Sequence, residues 1–361
     1  MSSLPDRTAL DITIFTDALS RRAFLKRAAT GVLLTAAGTQ FASCGSSSES
    51  LQTATPTRTH TTMQGDLRAH DPSLIKQDNT YYVFSTGGGI QIRTSTDLLT
   101  WQLIGTVFDV IPSWVIDAVG DITDLWAPDI SYTAGVYHLY YAGSQFGVNT
   151  SVIGLATNTT LDPSNPGYHW VDKGMVIQST TSDDFNAIDP NFVLDANNVP
   201  WLDFGSFWTG IKLRRLDPQT FKSSTKDTRL YSLAVNTSSD VDAIEAPFII
   251  YRDKYYYLFA SIGFCCRGSN STYSIVIGRS TSITGPYVDK TGQRMDQGGY
   301  TLLLTSYGDV RGPGGESIYK DGGTDLIIYH YYNAAAGGAV QFFISKLHWG
   351  NDGWPSIGKP I

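Results

Sequence analysis

One pattern recurs five times along this chain and narrows its possible folds more than any other feature. A short β-run opens at or beside a proline and is followed, after a polar turn, by a second run rich in tyrosine and phenylalanine. The clearest copy is Ala187-Ile188-Asp189-Pro190-Asn191-Phe192-Val193-Leu194, then Asp195–Asn198 as the turn, then Trp201-Leu202-Asp203-Phe204-Gly205-Ser206. The other copies open at Asp71-Pro72-Ser73, Ala127-Pro128-Asp129, Ala246-Pro247-Phe248 and Gly315-Glu316-Ser317. Aligned on positions 72, 128, 190, 247 and 316, they lie 56, 62, 57 and 69 residues apart. Alternating apolar runs bounded by turn residues read as hairpins. A hairpin repeat of this length is the signature of a β-propeller with one blade per copy. The expected fold is therefore all-β, a five-bladed β-propeller; a large β-sandwich would repeat less regularly. Proline should hold the residue before it extended.

The chain is long enough for one large all-β domain, and its 35 glycines and many aromatic residues suit stacked sheets with tight turns. No run of about 18 apolar residues suggests a spanning helix. Net charge is −7, and −9 without residues 1–44. Nucleic acid is a poor partner for so acidic a chain, because phosphate contacts need clustered Lys and Arg. A neutral partner fits better.

The N-terminus reads as an address. Ser20-Arg21-Arg22-Ala23-Phe24-Leu25-Lys26 precedes an apolar run from Ala28 to Ala42, the pattern of a twin-arginine export signal. Phe41-Ala42-Ser43-Cys44 resembles a lipobox, which would place a lipid on Cys44; an ordinary signal peptide cut nearby is the alternative. Residues 1–44 are thus assigned to the signal, 45–65 to a flexible Ser/Thr-rich tether, and 66–361 to the propeller. A periplasmic, membrane-anchored or secreted monomer follows, touching membrane only through that lipid. Cys265 and Cys266 are adjacent, so a vicinal bridge competes with the simpler expectation of two buried thiols.

The innermost strand of each blade runs along the propeller axis, so the five blade entrances should meet. They are Asp71, Ala127, Asp189, Ala246 and Gly315, with Glu245 one residue upstream in the fourth blade. Three blades thereby bring a carboxyl to one small space. Crowding and desolvation would keep one protonated as a general acid and another ionised as a general base. Glycoside hydrolysis needs such a pair. Each acid alone is also a common turn opener before proline. Trp126, Phe146 with Gly147, and Ser206-Phe207-Trp208 fall near the same rim, where flat rings could stack on sugars.

On these segments the chain resembles the arabinanases of glycoside hydrolase family 43. The matching stretches are His70–Ser73, Leu125–Asp129, Phe146–Asn149, Ala187–Pro190, Phe204–Leu213, Ile244–Pro247 and Cys265–Gly268, spread across nearly the whole propeller. The resemblance implies an inverting hydrolase of α-1,5-linked arabinan. Asp71 would be the general base, Glu245 the general acid, and Asp189 the residue that tunes the acid and helps orient substrate. Gly147, Asn186, Ala187 and Ile188, with Ser206, Phe207 and Trp208, match segments that line furanose subsites. The family usually carries Gly-Pro-Gly-His at the fifth entrance, its histidine reaching an axial metal or its waters. Here the segment is Gly312-Pro313-Gly314-Gly315-Glu316. An axial Ca²⁺ is therefore expected to be absent, weaker or held differently, with Glu316 as a substitute oxygen donor. His330 is expected to be a satisfied core histidine.

Endo action is the first expectation. The alternatives are an exo-acting arabinofuranosidase or xylosidase on the same scaffold, and a surface sugar-binding propeller without catalysis.

Overall fold

The computed structural model describes residues 62–361. The export signal, the lipobox and residues 45–61 of the tether lie outside them. Five antiparallel sheets follow one another along the chain, as the repeat predicts. Blade 1 holds β1 (Gln64–Gly65), β2 (Ser73–Gln77), β3 (Thr80–Ser85), β4 (Gln91–Ser95) and β5 (Thr100–Thr106); blade 2 holds β6 (Trp126–Thr133), β7 (Val136–Gly143), β8 (Ser151–Asn158) and β9 (Val171–Ser179). Blade 3 holds β10 (Asn191–Leu194), β11 (Pro200–Phe204), β12 (Ile211–Arg215) and β13 (Leu230–Ala234). Blade 4 holds β14 (Ile244–Arg252), β15 (Tyr255–Ile262), β16 (Ser274–Ser280) and β17 (Thr301–Leu304); blade 5 holds β18 (Val310–Asp321), β19 (Thr324–Asn333), β20 (Ala339–Trp349) and β21 (Pro355–Pro360). The strands β2, β6, β10, β14 and β18 touch in succession, and β18 touches β2 to close the ring.

The second strand of each blade is buried on both faces, because each sheet stacks on two neighbours, whereas outer strands such as β5 and β9 are largely exposed. On β15, Tyr256, Leu258 and Ala260 join the cluster shared with blade 3, whereas Tyr257 and Phe259 join the one shared with blade 5. On β7, Leu139 and Tyr141 face blade 1 while Tyr140 faces blade 3. The last interface packs Leu326, Ile328, Phe342 and Ile344 against Leu74, Val83 and Trp101. Continuous apolar runs are the sequence trace of this two-sided burial. Tight hairpins put left-handed residues at their tips, Ala134-Gly135 and Asp253-Lys254 among them, as two-residue turns require.

One set of side-chain hydrogen bonds joins four of the five blade junctions near the entrances. Ser73 Oγ accepts the Ile130 N–H (3.2 Å), Asp129 Oδ2 accepts the Phe192 N–H (2.7 Å), and Asn191 Oδ1 accepts the Ile249 N–H (2.8 Å), each from the residue after an entrance proline. Ser317 Oγ ties blade 5 to blade 1 by donating to the Pro72 carbonyl (2.7 Å).

Two expectations need correction. Gln64 and Gly65, assigned to the tether, pair in parallel with Thr100 and Trp101, and Met63 is buried beside them; the ordered unit therefore begins before residue 66. The residues before the entrance prolines are not extended. Asp71, Ala127, Asp189 and Ala246 have φ of 49°, 42°, 55° and 50°, and Gly315 in the fifth blade has 57°. Tertiary hydrogen bonding, described next, overrides the local preference.

Candidate active site

At four of the five entrances the left-handed residue turns its N–H toward a neighbouring side chain. The Ala127 N–H donates to Thr86 Oγ1 (2.9 Å), that of Ala246 to Asp189 Oδ2 (3.0 Å), and that of Gly315 to Ser261 Oγ (2.9 Å). At the ring closure the Asp71 N–H donates to His330 Nδ1 (3.2 Å). Each acceptor comes from the preceding blade, so adjacent blades hold one another's hub residues in a conformation that costs energy in isolation.

The three carboxyls have opposite environments. Asp71 Oδ2 lies 2.8 Å from His70 Nδ1 and accepts from the Thr86 hydroxyl at 2.7 Å, while Oδ1 is 3.5 Å from His330 Nδ1. Burial would raise its pKa, but the charge and hydrogen bond of His70, His330 and Thr86 together bring it down to about 2. Glu245 is 8% exposed and accepts from the Ser206 hydroxyl at 2.6 Å. Burial, then the charge of Asp71, pushes it up to about 7 against the pull of Ser206 and His70. Asp189 is raised well above the ordinary range by burial and by Glu245, Asp71 and Glu316. Asp71 is thus biased toward the ionised form, and Glu245 and Asp189 toward the protonated one.

Several residues at this centre lie outside the catalytic and sugar-contact set read from the sequence, where Glu316 is expected only as an oxygen donor to an axial ion. His330 is wholly buried, but it is not a fully satisfied core residue: its ring stacks on His70 at 3.7 Å, and Nε2 has no partner. Glu316 is buried, with Oε2 accepting from Ser261 at 2.8 Å and Oε1 unpartnered. Thr86 and Tyr332 complete the surround; Tyr332 Oη is 2.9 Å from His70 Nε2. The Tyr-rich run after His330 carries the only sequence signal for Tyr332.

The expected sugar-contact residues are disposed unequally. Ser206 forms an antiparallel bridge to Glu245, the Phe207 N–H donates to the Ile244 carbonyl (3.0 Å), and Trp208 is 38% exposed. Phe146 is 82% exposed beside Gly147, which has φ 81°. Trp126 begins β6 half-buried, its segment pinned by the Leu125 N–H to the Gly88 carbonyl. Asn186 and Ala187 are buried, with Asn186 Oδ1 accepting from Ser151 (2.7 Å) and the Ala187 N–H donating to Ser179 Oγ (2.9 Å); Ile188 carries this support to Asp189. A separate cleft between blades 2 and 3, lined by His138, His169, Lys173 and Phe221, contains none of the three carboxyls.

Cys265 and Cys266 are joined by a disulfide, and Cys266 is exposed, which corrects the expectation of two buried thiols. His70, Asp71 and His330 bring ligand atoms within 4.8 Å of one another, but an axial ion held by a histidine at position 315 does not fit the residues present. A Cβ built on Gly315 would lie 2.6 Å from both Asp71 Oδ1 and His330 Nδ1, so no side chain can project there as the fold stands.

A propeller hub that gathers Asp71, held by His70 and Thr86, with Asp189 and with Glu245, held by Ser206, has the carboxyl set of a two-carboxylate glycosidase. Residues 65–355 match the pattern of "Glycosyl hydrolases family 43". The chain belongs to that family. It is 44% identical over 302 residues to an extracellular exo-α-(1→5)-L-arabinofuranosidase of Cellvibrio japonicus, covering 80% of this chain and 86% of the relative. It is 42% identical to an extracellular endo-α-(1→5)-L-arabinanase of Bacillus subtilis, covering 80% and 87%. Among solved structures, the endo-arabinanase of Bacillus licheniformis superposes with TM-score 0.77 at 45% identity, covering 82% of this chain and 99% of that one. An α-L-arabinanase of Cellvibrio cellulosa complexed with arabinohexaose does so with TM-score 0.77 at 41% identity, covering 81% and 96%.

Proposed function

We propose that this protein is an inverting glycosidase that cleaves α-1,5-linked L-arabinofuranosyl bonds within arabinan chains. The opposed protonation of Asp71 and Glu245 at one hub carries the proposal. Asp71, ionised and oriented by His70 and Thr86, removes a proton from the attacking water. Glu245 delivers its proton to the leaving oxygen as the bond breaks. Asp189 accepts the N–H of Ala246, the residue after the acid, and so fixes the segment that carries it. Ser206, Phe207 and Trp208 form the wall of the sugar site beside the acid, and Trp126 and Phe146 supply further rings for sugar stacking.

Incubation of the purified protein with debranched and branched arabinan, with products followed over time, tests the reading. Mixed oligomers early in the reaction support internal cleavage. A single mono- or disaccharide from the outset supports exo action, the second reading, which the name of the Cellvibrio japonicus relative favours. No release of sugar from either polymer would overturn both.

Export through the twin-arginine signal at Ser20–Lys26, with lipid on Cys44, belongs to the same proposal. It is supported by the extracellular designation of both bacterial relatives. Cys44→Ser should move the protein from the membrane to the soluble fraction; an unchanged distribution would exclude the anchor.

A further inference from the structure

A continuous set of contacts leads from the Cys265–Cys266 bridge to the side chain that activates water. The Cys266 N–H donates to Tyr332 Oη at 2.7 Å. Tyr332 Oη lies 2.9 Å from His70 Nε2, and His70 Nδ1 lies 2.8 Å from Asp71 Oδ2. A backbone N–H can only donate, so the tyrosine oxygen accepts from Cys266 and can give its own proton to His70 Nε2. In that arrangement a neutral imidazole carries its proton on Nδ1, where it points at the base. Cys266 Sγ also lies 3.7 Å from His70 Nε2, so the bridge itself abuts the ring. On its other face His70 stacks on His330, which is buried and accepts the Asp71 N–H.

We propose that Tyr332 and the Cys265–Cys266 bridge are positioning groups for the general base, acting on Asp71 through the tautomer and orientation of His70. The proposal rests on the assignment of Asp71 as base. A disulfide between adjacent residues closes a small ring through their peptide bond, which restricts the direction of the Cys266 N–H. Cys266 has φ 64°, a conformation rare outside glycine, and the bridge resists its relaxation. Loss of the bridge frees that N–H, Tyr332 loses its fixed partner, and His70 is no longer obliged to present Nδ1–H. Because Cys266 is exposed, an external dithiol can reach it. The dithiol supplies two electrons and two protons: the S–S bond breaks, two S–H bonds form, and the reagent becomes a cyclic disulfide.

Other titratable groups facing Asp71 must be held constant in the comparison. They are His330 and Tyr332 on β19, Glu316 on β18, Glu245 on β14 and Asp189 before β10. Reduction alters none of these side chains; Tyr332→Phe removes the phenolic hydroxyl and leaves the others in place.

The test has two readouts. In the first, ¹⁵N spectra of the imidazoles, assigned by difference against His70→Asn, report the His70 tautomer without any substrate. The oxidised wild type should show a proton on Nδ1; the dithiol-treated protein and Tyr332→Phe should both show loss of that single form. In the second, arabinan hydrolysis should lose about tenfold in kcat in both cases, with KM within about twofold, as expected when orientation alone is lost. The acidic limb of kcat/KM should rise by about one unit. The combined variant Cys265→Ser with Cys266→Ser should match the reduced enzyme and be insensitive to dithiol. A His70 spectrum unchanged by reduction and by Tyr332→Phe overturns the proposal, whatever the enzyme's substrate proves to be. Inactivity of the oxidised wild type on arabinan would instead overturn the substrate reading, while the His70 spectra would still decide whether the bridge and Tyr332 set the tautomer.

Discussion

The hydroxyl of Ser206 lies 2.6 Å from Oε2 of Glu245, and the two residues also face each other across an isolated antiparallel bridge. Ser206 ends the inner hairpin of blade 3, and Glu245 begins blade 4, so the donor is set by the junction between blades. Donation to a carboxylate favours its ionised form and partly offsets the burial that pushes Glu245 up to about 7. Glu245 works protonated, so activity falls as pH rises through its pKa. Asp71 works ionised, so activity falls as pH drops through its value of about 2. The profile of kcat/KM should therefore be bell-shaped with its alkaline limb near 7. Ser206→Ala should move that limb upward by about half a unit and leave the acidic limb in place. A downward move of the alkaline limb would contradict the assignment of the acid.

Removal of each catalytic carboxyl should give a different signature. Glu245→Ala should lose about 10²–10⁴-fold on arabinan but stay within about tenfold of wild type on an aryl arabinofuranoside, whose leaving group needs no proton. Asp71→Ala should lose activity on both substrates, because neither reaction proceeds without activated water. Parallel assays with the two substrates decide the matter. Equal and mild losses in both variants would show that neither residue has the role given to it.

Glu316 should make the fold less stable as pH rises. Burial pushes its pKa up to about 8 from an ordinary 4.5, with the Ser261 hydrogen bond opposing. Between those values the folded protein holds a proton that the unfolded chain releases. The contribution is fully present below 4.5 and is lost as pH rises toward 8. It amounts to at most about 5 kcal/mol. Glu316→Gln keeps an acceptor for Ser261 and has nothing to ionise. Urea midpoints at mildly acidic and mildly alkaline pH should show the variant gaining on wild type as pH increases. Asp189 and Glu245 respond in the same direction, but they are common to both proteins and cancel. A difference independent of pH would rule this out.

The propeller was legible because two-sided burial writes apolar runs such as Tyr255–Phe259 into every inner hairpin, at a nearly constant interval. Asp71, Asp189 and Glu245 were legible for the same reason, since they stand at or beside equivalent places in that interval. Local rules failed where blades meet. Proline favours an extended residue before it, yet Asp71 and Asp189 are left-handed where the Asp71 N–H and the Asp189 carboxyl serve contacts across the hub. Thr86 and Tyr332 were not legible as members of the site. Tyr332 is 262 residues from the histidine it touches, and no spacing rule spans that distance. The side-chain belt of Ser73, Asp129 and Asn191 follows the repeat, but its differing residue types conceal the shared duty.

Gly315 provides the sharpest test of how this hub differs from the pattern its sequence resembles. Four of the five equivalent positions carry Asp or Ala at φ between 42° and 55°, so the backbone of Gly315 at 57° is not itself a barrier to a side chain. Space is the barrier, since a Cβ there would meet Asp71 Oδ1 and His330 Nδ1 at 2.6 Å each. Neither neighbour can retreat freely: Asp71 is tied to His70 and Thr86, and His330 is stacked on His70. Gly315→His should therefore displace the base rather than install a metal ligand, lowering kcat by about a hundredfold through misplacement of Asp71. Added Ca²⁺ should not restore it. In the wild type, a chelator should change activity by less than about twofold, because no histidine at 315 holds an ion whose removal would matter. Calorimetric binding of Ca²⁺ by Gly315→His with activity intact would show that the hub can open to admit the side chain, and the steric argument would then be wrong.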